Sequence, residues 1–155
     1  MKKLSSYIYL CFSVFITLFI FYNSFQDCEA STEMSSGILE LVCRILNITD
    51  EKAIDLTLFL VRKAAHMAEF CVQSFFIGMF FLSKDKRNFH HFVYVLFLGI
   101  LTACIDEFIQ LFPEGRSARI QDVWVDFSGT CAGLLVSVVF DKIIQKFKKR
   151  QGVKI

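Results

Sequence analysis

The stretch Val61-Arg62-Lys63-Ala64-Ala65-His66-Met67-Ala68-Glu69-Phe70 constrains this chain more than any other. It places four polar side chains at the start of an apolar run that continues to Leu82. Read as a helix, Arg62, His66, Glu69 and Gln73 are four, three and four residues apart and share one face. An ionised side chain near the centre of a spanning helix costs about 2.5–3.5 kcal/mol on insertion scales. Such a stripe persists only where it faces other protein, water or a ligand.

Composition makes the membrane reading necessary. Apolar residues are 55% of the 155, and 19 are Phe, with a mean hydropathy of +0.52. A small soluble domain has no interior large enough for them. Four apolar runs approach the ~20 residues needed to cross a bilayer. The expectation is an all-α, polytopic membrane protein forming one domain over residues 1–155. Its spans are at about 7–25, 64–82, 89–109 and 123–140. The net charge of +2 is dispersed and implies no nucleic-acid partner. The six cysteines form no CxxC pair and no Cys/His metal spacing. Four lie in apolar runs as packing residues. Cys28 and Cys43 share one extramembrane segment, and a disulfide between them is not expected.

Lys2 and Lys3 precede the first run, as in a secretory signal peptide. The run is long and rich in Phe and Ile, and no small-x-small cleavage site follows, so an uncleaved spanning helix is expected. A Ser-rich piece at 31–37 leads into an amphipathic run at 38–48, read as a short outer interfacial helix. Asp50 is placed to cap the next helix, which approaches through 54–60 and ends at the positive turn Lys84-Asp85-Lys86-Arg87. The third span ends in Asp106-Glu107-Phe108-Ile109-Gln110. A turn with the only Pro, Pro113, leads to Asp122 and the fourth span. With both termini inside, eleven positive residues fall on the cytoplasmic side and six on the outer side. That is the expected sign of the positive-inside bias.

This topology brings the polar ends of three spans together. Arg62, Lys63, His66 and Glu69 are expected to meet Asp106, Glu107, Gln110, Arg116, Arg119, Asp122 and Asp126 in one outward-facing pocket, with its charges paired across helices. Asp106 and Gln110 share a face, as do Asp122, Asp126, Gly129, Gly133 and Ser137. The motif Gly129-Thr130-Cys131-Ala132-Gly133 is a GxxxG, ordinarily a packing device and here the one hint of a homo-oligomer. Taken singly, His66 reads as an interfacial histidine and Lys63 as a snorkelling anchor. Asp106-Glu107 resists that reading, because two carboxylates ending an apolar span need a partner or a ligand. His90 and His91 read as interfacial.

These residues resemble a known family. The 61–70 stretch, then Asp106-Glu107-Phe108-Ile109-Gln110, Gly115-Arg116-Ser117-Ala118, Asp122-Val123 and Asp126-Phe127-Ser128-Gly129 match the order and spacing of the VanZ-like family. Its pattern is roughly RKxAHxxEY, DExxQ, a PGR turn and DVxxN/DxxG. Asn23-Ser24 and Ser35-Ser36-Gly37 look like the family's first helix end and serine-rich segment. Phe70 stands where Tyr is commoner, and Glu114 is inserted into the turn, so Arg119 is a candidate to share the work of Arg116. The resemblance implies a multi-pass protein of the bacterial plasma membrane, from a family named for a component of teicoplanin-type glycopeptide resistance.

Three functions remain open at this level. One is binding of an amphiphile, either an envelope lipid or an antibiotic, with the cations holding its phosphate or carboxylate. Another is an intramembrane hydrolase or transferase with His66 as general base and Glu69 or Asp106 orienting it. In that reading Asp106, Glu107 and Asp122 are plausible oxygen ligands for a divalent metal, while a single histidine makes a zincin-like site a poor fit. The expectation is no cofactor and no resident metal. A channel would need an oligomer, since four helices enclose little.

Overall fold

A computed structural model describes residues 2–26, 28–84 and 88–150. The described residues form five helices: α1 (Lys2–Phe25), α2 (Cys28–Leu46), α3 (Glu51–Lys84), α4 (Phe89–Ile109) and α5 (Ile120–Arg150). All but α2 are long and apolar enough to cross a membrane. Among the described residues there is no strand. The protein is an all-α, multi-pass membrane protein.

The helix boundaries follow from local chemistry. Asp50 caps α3 as expected, accepting from Ala53 N at 3.1 Å. Asn88 caps α4, accepting from His90 N at 3.2 Å. Asn47 ends α2 in the left-handed region, φ 52°, and Ile48 N reaches back to Cys43 O at 2.9 Å. That wide closing bond is the Schellman pattern. The turn after α4 closes at Gly115, whose φ of 73° suits glycine.

One expectation is corrected, and two helices extend beyond the spans read from the sequence. The interfacial helix spans Cys28–Leu46 rather than 38–48, because the serine-rich piece joins it. Ser36 Oγ donates back to Glu33 O at 2.7 Å, so the hydroxyl is satisfied without breaking the helix. Approach and span are one uninterrupted helix, α3, about 51 Å long at 1.5 Å per residue. It exceeds the ~30 Å hydrocarbon core, so the helix is longer than a crossing along the membrane normal requires. The fourth span is likewise the middle of a longer helix that runs to Arg150. The positive turn at 85–87 lies outside the described residues.

Burial is inverted relative to a soluble protein. Among the described residues, seven hydrophobic ones are buried against thirteen polar or charged ones, while Phe15, Leu18, Phe97, Leu135 and many other large apolar side chains face outward. Lipid tails are as apolar as leucine, so helices in a bilayer associate through small residues and polar contacts. The helix α3 is the hub, packing against α1, α2, α4 and α5. Gly129 and Gly133 lie so close to α3 that a Cβ on either would strike the carbonyl oxygen of Met67 or Cys71. The GxxxG therefore seats α5 on α3 within one chain.

A second seam crosses the middle of the bundle. Gln73 Nε2 donates to Thr17 Oγ1 at 2.7 Å and to Thr102 Oγ1 at 3.3 Å, joining α1, α3 and α4. Ser74 Oγ donates to Thr130 O at 2.9 Å, joining α3 to α5. At the end of the bundle where α3 finishes, Ser6 and Ser83 bond at 2.7 Å.

Candidate functional site

Alternation of the long helices brings the end of α1, the first half of α3, the end of α4, the α4–α5 turn and the start of α5 to one end of the bundle. There the apolar helices carry their ionisable residues. Asp106 is fully buried, and Asp126 and Glu107 are nearly so.

Each residue has a definite place. Asp106 accepts from Ser24 Oγ on α1 and from Gln110 Nε2 one turn along α4, the latter at 2.9 Å. Glu107 turns the other way and accepts from the backbone N–H of Arg119 at 2.7 Å. It is a clasp for the α4–α5 turn. Lys63 pairs with Asp122, tying α3 to α5, and its ammonium stands 5.5 Å from the centre of the Phe59 ring. Glu69 accepts from Asn23 Nδ2 at 2.8 Å, and its second carboxylate oxygen is buried without a hydrogen-bond partner. Asp126, one turn beyond Asp122 on α5, is buried. Arg62, Lys63 and Arg116 stand close enough to His66 to act on it electrostatically.

Two cavities flank this cluster. The larger, about 300 Å³, lies between the start of α3, the α4–α5 turn and the start of α5. Arg62, Lys63, His66, Arg116 and Arg119 line it, with Leu58 and Phe59 on its apolar side. The smaller, about 200 Å³, lies between α1, α2 and α3, with Phe19, Ile38 and Val61 beside Asn23 and Glu69. Arg62, His66 and Arg116 line both. The stripe on α3 is therefore a partition between two spaces rather than one wall of a single pocket.

The inserted Glu114 does not displace Arg116, which reaches both cavities, whereas Arg119 reaches only the larger. Phe70 is fully buried beside Ile20 and Ala103, a position with no need of a tyrosine hydroxyl. His91 stacks on Phe81, ring centres 5.2 Å apart, away from the site. Cys43 is a free thiol.

His66, Asp106 and Asp126 each offer a ligand atom, and the three atoms lie within 4.8 Å of one another. This trio differs from the carboxylate set suggested by the sequence. Glu107 and Asp122 are taken up by the turn and by Lys63, and His66 and Asp126 stand in their place.

Sequence reasoning missed Asn23 and Ser24 as parts of the site. Their signal was present: two small polar residues close an otherwise apolar span, where hydroxyl and amide groups have little to bond except another helix.

The residue pattern agrees with a family match. The VanZ/LLP1 family model covers residues 7–141. The chain belongs to the VanZ/LLP1 family. Comparisons with curated proteins and with solved structures give no match. Within this VanZ/LLP1 chain, the matched segment takes in α3 and α4 whole, most of α1 and α5, and every residue lining both cavities.

Proposed function

We propose that this protein receives an anionic amphiphile at the polar end of its helix bundle. The headgroup enters the larger cavity, and its apolar part lies along the Phe-rich helix surfaces. One observation carries the reading: Arg62, His66 and Arg116 line both cavities, and each cavity also has apolar walls. Arginine offers a planar fork of donors that suits phosphate or carboxylate. Leu58 and Phe59 beside the larger cavity, and Phe19 and Ile38 beside the smaller, provide apolar contact for the rest of such a molecule.

In this reading the polar end faces outward and both termini face the cytoplasm of a bacterial cell, in accord with the distribution of positive residues. The ligand class is an envelope lipid carrying phosphate or carboxylate, or a lipidated glycopeptide antibiotic of the teicoplanin type. Protection against such an antibiotic, or upkeep of envelope lipids, would follow from holding it. Native mass spectrometry of the detergent-purified protein tests the binding step, with phosphatidic acid as probe and phosphatidylcholine as control. We expect adducts with phosphatidic acid that Arg62→Ala weakens by about tenfold, as loss of a charge-assisted pair implies. Equal binding of the two lipids, or an unchanged Arg62→Ala, refutes the reading. A shift in teicoplanin susceptibility on expression tests the antibiotic branch.

A second reading has one observation in its favour. His66 lies beside two buried carboxylates, as a general base with orienting acids would. Turnover of an added lipid ester that disappears in His66→Gln, with normal protein yield, would favour an intramembrane hydrolase or transferase.

A further inference from the structure

We propose that His66, Asp106 and Asp126 bind one first-row divalent cation, Zn²⁺ or Mn²⁺, where α3, α4 and α5 meet. This concerns the partition between the cavities rather than their contents, and it stands whether or not an amphiphile binds.

Three helices each contribute one ligand atom, and the atoms lie within 4.8 Å of one another. A cation about 2.0–2.2 Å from its nitrogen and oxygen ligands holds them about 3.4 Å apart in a tetrahedron. Small side-chain rotations close that gap. The donor set of one imidazole and two carboxylates suits Zn²⁺ or Mn²⁺ better than Ca²⁺ or Mg²⁺, which take oxygen ligands.

The bonding around the trio supplies a second, independent observation. Asp126 is 2% exposed, and its carboxylate receives no hydrogen bond among the described residues. Its neighbour Lys63 is engaged by Asp122. On the other side, the His66 Nδ1 atom is buried without a hydrogen-bond partner. Two buried carboxylates with oxygens within 4.8 Å of each other are costly to keep charged unless a positive centre joins them. Asp106 is in contrast well held, one oxygen by Ser24 and the other by Gln110. Outer hydrogen bonds of this kind orient a metal-binding carboxylate while leaving each oxygen a lone pair. Three protein ligands leave positions for water or a ligand oxygen, and His66 borders both cavities from which either would arrive.

The test uses the untagged full-length protein in detergent, stripped with chelator and equilibrated with ZnCl₂ or MnCl₂. After desalting, elemental analysis should find about one ion per chain. Asp126→Asn and His66→Gln should each weaken binding by at least about tenfold. Asp141→Asn, a buried carboxylate toward the other end of α5, should leave it unchanged. Zn²⁺ should raise the melting temperature of the wild type and not of Asp126→Asn, as expected for an ion that binds only the folded state. Pulsed electron paramagnetic resonance on the Mn²⁺-loaded wild type should show one imidazole nitrogen on the ion, and it requires no variant to fold. The proposal is overturned if the wild type retains neither metal, as it would were the two carboxylates joined by a shared proton. It is overturned equally if both variants bind like the wild type, or if bound Mn²⁺ shows no nitrogen.

Discussion

The two polar regions of the bundle use the same kind of surroundings for opposite ends. In the middle, Gln73, Thr17, Thr102 and Ser74 are neutral; Gln73 and Ser74 donate to other helices and the two threonines to their own, with one acceptor, the Gln73 carbonyl oxygen, left over. At the polar end most of the residues are ionisable, and Glu69 Oε2 and His66 Nδ1 are buried without a hydrogen-bond partner on residues that line the cavities. Neutral groups bonded to one another hold helices together cheaply. Ionisable groups left incompletely satisfied in an apolar setting cost free energy, and a chain that carries several of them at one place has a use for them there. The contrast separates framework from site without any reference to what the protein binds.

Substitutions on the two sides of that contrast should behave differently. The largest effect is expected from the seat of α5 on α3. Gly133→Leu drives a side chain into the Cys71 carbonyl and the Ser74 hydroxyl, and should cost about 3 kcal/mol. Size-exclusion chromatography and thermal melting would show loss of the monodisperse, folded protein, and a folded Gly133→Leu would mean that the close approach does not matter. Next comes Arg62→Ala, which should lower affinity for phosphatidic acid about tenfold while moving stability little, since the site and not the framework is touched. Loss of folding in that variant would erase the distinction between the two regions.

Smaller effects are expected within the framework. Gln73→Leu removes bonds to Thr17 and Thr102, yet hydrogen bonds between membrane helices average only about 0.6 kcal/mol. Its melting temperature should fall slightly, with phosphatidic acid binding unchanged; altered binding would couple the seam to the site. The smallest should be Arg44→Ala, which breaks the exposed Glu40–Arg44 pair on α2. Such a pair is worth about 0.3–0.5 kcal/mol, so thermal melting should barely register it unless α2 depends on that pair to stay folded.

Much of this was legible in the sequence. The limits of α4, the cap at Asp50 and the meeting of three polar helix ends follow from apolar runs and their punctuation. Phe89–Ile109 agrees with the expected third span at both ends. What the sequence withheld is how each helix is rotated against its neighbours. Spacing places Asp122 and Asp126 on one face of α5, but only packing decides that Asp122 meets Lys63 while Asp126 points at His66 and Asp106. Likewise, GxxxG announces a close approach without naming the partner helix, and here the partner is α3. Residues 31–37 fall outside the helix expected at 38–48, in keeping with the modest helix preference of serine. Back-bonding of Ser36 and packing of α2 on α3 outweigh that preference.

The glycine seat has a consequence for register. With Gly129 against Met67 and Gly133 against Cys71, α5 has a fixed vertical setting on α3, like a bolt in a notch. One turn of slippage would move Asp122 and Asp126 by about 5.4 Å along the axis, past the reach of Lys63 and His66. Two missing side chains thus act as the gauge that sets Asp122 and Asp126 level with Lys63 and His66.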